Sequence, residues 1–235
     1  MTPVIETYTS GGKPVTMELF LPASEEAVPL VLVLHGSFGL LPQYRPDIVS
    51  FATALKERGI AAALPHYLDV TGTTPGQGVL GEIAARSDQW HDACSDALET
   101  LASDDQFNAT SMGVLGFSLG GYLALRVAMA PPAPAVVRGA VDFFGPVRML
   151  EVDWSALPRL LILHGDADPL VNPAESSWLA AGLVKAGLSS PADFELVTYP
   201  GEGHGFKGAA LADSRERTCS FFEKLFEDGR KAGRA

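Results

Sequence analysis

Apolar residues along this chain fall into two kinds of stretch that alternate. One kind is short and almost unbroken; the other recurs at helical spacing. The N-terminus starts differently. Val4–Tyr8 and Pro14–Leu21 alternate apolar and polar residues around Ser10-Gly11-Gly12-Lys13, which predicts a β-hairpin at a sheet edge. Leu30–Leu34 is an unbroken apolar run, as a central parallel strand covered on both faces requires. Asp47–Arg58 fits a helix closed by Gly59, and Ile60–Leu64 the next strand. A polar loop is expected over Leu68–Gly78 and a helix over Val79–Ala102. Met112–Phe117 reads as a buried strand and Leu119–Ala130 as a helix; Val136–Phe144 and Arg159–His164 read as strands. Glu175–Ala186 fits a helix ended by Gly187, Phe194–Tyr199 the last strand, and Asp213–Asp228 a terminal helix. Gly229–Ala235 is a basic tail expected to fray.

This alternation predicts an α/β fold: a mostly parallel sheet of about 7–8 strands with helices on both faces and right-handed crossovers. Residues 1–235 are expected to form a single domain. Only Gly145–Pro158 separates two of the strands where a cap domain could be inserted, so none is expected and the pocket should be open.

The junction between the Met112–Phe117 strand and the following helix is Gly116-Phe117-Ser118-Leu119-Gly120, a G-x-S-x-G match. A strand that turns into a helix at a serine is the nucleophile elbow of α/β-hydrolases. The glycines fit the geometry. The serine backbone is strained, and strand and helix pass so close that a Cβ at 116 or 120 would clash. The helix N-terminus aims its N–H groups at the serine oxygen.

Composition narrows this reading little. The 235 residues are 47% hydrophobic and 19% charged, enough for a full core. A net charge of −11 argues against nucleic acid and anionic membranes as partners. Cys94 and Cys219 fall in expected helices with no metal-ligand spacing, which suits reduced structural thiols in a cytoplasm. The N-terminus shows no signal-peptide pattern, and no apolar stretch reaches membrane-spanning length. No metal or other cofactor is implied; the expected partner is a small-molecule ester or lactone, and the protein a monomer or homodimer.

In open α/β sheets, sites lie at the carboxyl ends of strands. Four strands here end in His35-Gly36-Ser37, Ser118, Asp168 and His204. Acyl transfer needs a nucleophile, a base to accept its proton, a carboxylate to orient that base, and N–H groups for the oxyanion. Ser118, Asp168 and His204 occur in the chain order of α/β-hydrolases. Among the other histidines, His91 is expected at the surface, His164 in the core, His35 as a prop for the oxyanion loop, and His66 beside the pocket. Asp166 is the rival acid, better suited to bonding its turn, and Asp142, inside a strand, the third choice.

Several motifs together resemble those of the dienelactone hydrolase family. The elbow Gly-Phe-Ser-Leu-Gly-Gly is similar to the family's G-x-C-x-G-G. Asp168-Pro-Leu-Val-Asn-Pro resembles its acid loop, Tyr199-Pro-Gly-Glu-Gly-His204-Gly-Phe its histidine loop, and Leu64-Pro65-His66-Tyr67 its A-P-x-x-Y. The resemblance spans nearly the whole chain and implies an α/β-hydrolase fold. It also implies oxyanion donors at the backbone N–H groups of Ser37 and Leu119, and substrate contacts at Phe38, His66 and Tyr67. It departs at two places. The family's type enzymes carry cysteine where Ser118 stands, and a glutamate that meets the thiol where Gly36 stands. The changes fit each other, since a serine has no thiol protonation state to control.

The leading expectation is a serine hydrolase of small carboxylic esters or lactones. The alternatives are a small peptidase or amidase of the same fold, and a non-catalytic binding relative. Peptidases of this kind usually carry an extra domain, and non-catalytic relatives typically lack a triad member.

Overall fold

The computed structural model describes residues 2–232. β1 (Val4–Ser10) and β2 (Lys13–Phe20) form the expected antiparallel hairpin. Gly11 and Gly12 both have positive φ, 54° and 75°, as a two-residue primed turn requires. β3 (Val28–Leu34), β4 (Ala61–Pro65), β5 (Phe107–Phe117), β6 (Val137–Phe143), β7 (Arg159–Gly165) and β8 (Phe194–Tyr199) complete one eight-stranded sheet of order β1-β2-β4-β3-β5-β6-β7-β8. Pairing is antiparallel from β1 to β4 and parallel from β4 to β8. The fold is that of an α/β-hydrolase.

Both faces of the sheet are covered. α2 (Gly78–Ala102), α3 (Leu119–Met129) and α4 (Ala174–Lys185) pack on one, with Trp90, Leu123 and Leu179 in that core. α1 (Arg45–Glu57) and α5 (Gly208–Ala232) pack on the other, with Phe51, Phe222 and Phe226. β3 supplies both: Leu30, Leu32 and Leu34 face the first core, Val31 and Val33 the second. That is why its sequence is apolar without alternation.

Three boundaries differ from expectation in ways that touch the site. α5 begins at Gly208 and not Asp213, because Ala209, Ala210 and Leu211 favour helix and the Lys207 carbonyl accepts the Ala210 and Leu211 N–H groups. It also continues through 229–232, where fraying was expected; 233–235 lie outside the described residues. The expected loop after β4 opens with a buried 3₁₀ turn, Tyr67–Thr71, tied down by Trp90, whose indole N–H donates to Thr71 Oγ1 at 2.8 Å. Between β6 and β7 lie only turns and the short 3₁₀ helix Val147–Met149, so no cap is inserted there. Trp154 of this connection lies over Gly182 of α4, away from the strand ends that carry Ser118 and His204. No helix among the described residues is long and apolar enough to cross a membrane.

Candidate active site

Ser118 stands between β5 and α3 with φ 55° and ψ −118°, a conformation that non-glycine residues rarely adopt. The surroundings enforce it. The Ser118 N–H donates to the Phe143 carbonyl at 2.8 Å, and the Ser118 carbonyl accepts the Gly121 N–H at 2.8 Å. A Cβ at Gly116 would lie 1.9 Å from the Gly120 carbonyl oxygen, and one at Gly120 2.2 Å from that of Leu34. No side chain fits at either position, so the elbow can be made only with glycine there.

Three strand ends bring polar side chains to this serine. Ser118 Oγ lies 2.9 Å from His204 Nε2, and His204 Nδ1 lies 2.7 Å from Asp168 Oδ2. The carboxylate can only accept, so Nδ1 carries the proton and donates it to Asp168. Nε2 is then left to accept the Ser118 hydroxyl proton. Asp168 is fixed on its other oxygen too, where Oδ1 accepts the N–H groups of Leu170 at 2.8 Å and Val171 at 3.0 Å. His164 supports this loop from the core. Its Nε2–H donates to the Val171 carbonyl at 3.0 Å, which leaves Nδ1 to accept the Ser176 hydroxyl at 2.6 Å. Burial holds the His164 pKa below its ordinary value, which favours this neutral, hydrogen-bonded form.

Asp166 does not reach His204. Its Oδ1 accepts the Gly201 N–H at 2.6 Å, and so ties the loop after β7 to the loop that carries His204. The expectation was a bond within its own turn; the bond instead crosses between two turns. Asp142 lies within β6 and bonds the Gly145 N–H at 3.0 Å.

The loop Gly36–Gly39 faces Ser118 from the end of β3. A Cβ at Gly36 would stand 3.3 Å from Ser118 Cβ and 3.9 Å from its Oγ. The loop turns on a Gly39 N–H to Gly36 carbonyl bond of 2.9 Å. His35 braces it, donating from Nδ1 to the Gly36 carbonyl at 2.8 Å. Burial pushes the His35 pKa down to about 4, so the ring is neutral across the ordinary range. Ser37 lines the cleft, and its carbonyl is held by the Gly76 N–H at 3.0 Å. Leu119 is the first residue of α3, where an N–H has no partner within the helix.

The two other expected substrate contacts, Tyr67 and His66, do not line the cleft at Ser118, though His66 lines the neighbouring hollow with His35 and Gly39. Tyr67 is fully buried and stacks on His35 at 4.2 Å, its hydroxyl donating to the His35 carbonyl at 2.7 Å. It stands behind the Gly36–Gly39 loop and holds it through His35. His66 turns away to Glu18, with Nε2 2.9 Å from Oε1 of that buried carboxylate. Arg45 grips the same carboxylate with two bonds of 2.6 Å. Burial alone would raise the Glu18 pKa, but the hydrogen bonds from His66 and Arg45 outweigh it and hold the group at about 2. His91, expected at the surface, is half-buried on α2. Phe38 lines the cleft. Sequence reading missed Tyr44 just before α1, Ile48 and Phe51 on it, and Phe143 and Phe144 at the end of β6. The doubled Phe143-Phe144 was the one available signal, since Phe144 has a positive φ of 44° and sets its ring 4.6 Å from that of His204.

The comparisons agree with this architecture. Residues 17–226 match the dienelactone hydrolase family, and the chain belongs to it. It is 30% identical over 221 residues to a carboxymethylenebutenolidase of Rhodococcus opacus, covering 85% of this chain and 82% of that one. Its fold is similar to that of a dienelactone hydrolase-like promiscuous phosphotriesterase from metagenomic libraries. There the TM-score is 0.78 at 20% identity, over 96% of this chain and 98% of that one. A puromycin-hydrolyzing peptidase of Mycobacterium tuberculosis shares the fold with a TM-score of 0.75 at 19% identity, over 95% of this chain but 39% of that one. The protein is thus a hydrolase by family.

Proposed function

We propose that the chain hydrolyses small carboxylic esters or lactones through an acyl-enzyme on Ser118. The observation that carries this reading is the hydrogen-bond chain Ser118–His204–Asp168, at 2.9 and 2.7 Å, at the head of α3. A serine hydroxyl becomes a useful nucleophile only with a base in contact and a carboxylate that fixes the base. His204 Nε2 takes the Ser118 proton as Oγ attacks the ester carbonyl. The developing oxyanion is received by the N–H groups of Ser37 and Leu119. Collapse of the tetrahedral intermediate expels the alcohol, which leaves with the proton held on His204. Water then attacks the acyl-enzyme by the reverse sequence, giving up its proton to His204, and Ser118 recovers its hydroxyl as the acid departs. The relative from Rhodococcus is named for a butenolide, a cyclic ester, which favours lactones as well as open esters.

The test is labelling with a fluorophosphonate followed by peptide mapping, together with turnover of 4-nitrophenyl butyrate. One adduct, on Ser118, and measurable turnover are expected. An adduct elsewhere would move the nucleophile. Turnover of peptide amides with none of esters would make the protein a peptidase. No labelling and no turnover would make it a binding protein.

A further inference from the structure

The cleft beside Ser118 has a chemical character of its own. It is an open hollow of about 120 Å³. Rings make most of its wall: Phe38, Tyr44, Phe51, Phe117 and Phe144, with Ile48 among them. A closed apolar cavity of roughly 150 Å³ holds a benzene-sized molecule; this hollow is somewhat smaller but open to solvent on one side, so it takes at most one ring or one short branched chain. Aromatic walls offer edge and offset contacts to such a ring. The polar atoms of Ser37, Ser118 and His204 in the cleft belong to the reacting centre.

Charge in the cleft is of one sign. Asp47, exposed in the first turn of α1, is the only carboxylate lining it among the described residues, and no lysine or arginine lines it. Arg45 lies two residues away on the same helix, but both its terminal nitrogens are on Glu18 and it does not line the cleft. Lys207 follows Phe206 in the chain, and it too is absent from the lining. A substrate carboxylate entering here would lose water to aromatic rings, meet no cation, and face the like charge of Asp47.

We propose that this cleft selects uncharged esters bearing one ring-sized apolar group and rejects those with a carboxylate on that group, with Asp47 as a specificity-determining residue. The proposal rests on the ester-hydrolase reading above.

Two matched pairs test it. One places the charge on the acyl side: 4-nitrophenyl hexanoate against mono-4-nitrophenyl adipate. The other places it on the alcohol side: 4-methoxycarbonylphenyl acetate against 4-carboxyphenyl acetate. In at least one pair the neutral ester should have a kcat/KM higher by about 30-fold or more, because an unpaired carboxylate is expensive to desolvate. Asp47→Asn should narrow that gap by about threefold at low ionic strength and by less at high salt, as befits an exposed charge. Asp47→Lys should narrow it further. Equal turnover within both pairs would overturn the proposal and leave the hydrolase reading standing. A clear gap that neither Asp47 variant moves would overturn the role of Asp47. No turnover of any of the four esters would remove the hydrolase reading, and this inference with it.

Discussion

Two buried carboxylates stand toward the carboxyl ends of neighbouring strands, Asp142 in β6 and Asp168 just after β7. Their exposure is similar, 1% and 8%. Their surroundings are not. Asp168 has a partner on each oxygen: Leu170 and Val171 on Oδ1, and His204 on Oδ2. Asp142 has the Gly145 N–H on Oδ1 and no protein partner for Oδ2. Burial first, and the charge of Glu175 after it, push the Asp142 pKa up to about 7 against the single opposing bond from Gly145. Depth alone does not orient a carboxylate. A set of donors arranged around it does, because they fix its direction as well as compensating its charge.

The comparison can be broken first at Asp168. Asp168→Asn should cut kcat by roughly 10⁴ with the fold retained, because an amide opposite Nδ1 favours the wrong imidazole tautomer. Ester kinetics and a thermal melt check this; near-normal activity would show that the partner set around Asp168 is structural only. Next, a carboxylate can be introduced where no donor awaits it. Gly36→Glu sets a negative charge against Ser118 Oγ, close to where the oxyanion develops. A loss of at least about tenfold in kcat/KM, or ~1.4 kcal/mol, is expected. Full activity in a well-folded variant would mean that the side chain at 36 escapes the site.

Smaller effects should follow at the other two acids. Asp166→Ala loses the tie to Gly201 and so loosens the loop of His204, for an expected drop of about three- to tenfold in kcat/KM. Asp142→Asn should leave kcat/KM within about twofold, since the group touches neither His204 nor Ser118, but it should change the pH dependence of stability. The folded-state pKa of Asp142 stands above its unfolded value of 3.8. The wild type therefore loses stability as pH rises from there to about 7, and the loss is constant above that. The asparagine variant lacks this loss. Its melting temperature relative to wild type should climb by about 4 °C or more between pH 4 and 7 and then level off. A difference flat across that range would show that Asp142 is paired in solution.

Much of this was legible beforehand for physical reasons. Each parallel strand is buried on both faces, so its residues are apolar without interruption. The elbow must have glycine at 116 and 120, because no side chain fits. Ser118, Asp168 and His204 could be found from the short peptides at strand ends, whose spacing is set by strand and loop alone. The cleft wall was less legible. The side chains on or just before α1 that reach the site, Tyr44, Ile48 and Phe51, depend on how that helix crosses the sheet, which no local pattern records. The partners of His66 and Tyr67 were missed for a related reason. The strand end gives their position along the chain but not their partners, and buried Glu18, which draws His66 away, is distant in sequence and lies on β2. Asp142 was ranked below Asp168 from its place inside a strand, but its unpaired Oδ2 could be seen only in the folded protein.

The placement of α1 bears on how such a protein changes over generations. Ser118, His204 and Asp168, which we propose make and break bonds, stand just past strand ends in the parallel half of the sheet. Tyr44, Asp47, Ile48 and Phe51 stand on or beside a single helix, moored at its start by Arg45 to Glu18. Mutations on that helix can redraw which molecules enter without disturbing the nucleophile, and Glu18 keeps the helix in place while they do. Under the function proposed above, substrate range is inherited on one short segment and reactivity on several others, so the two can drift at different rates within one lineage.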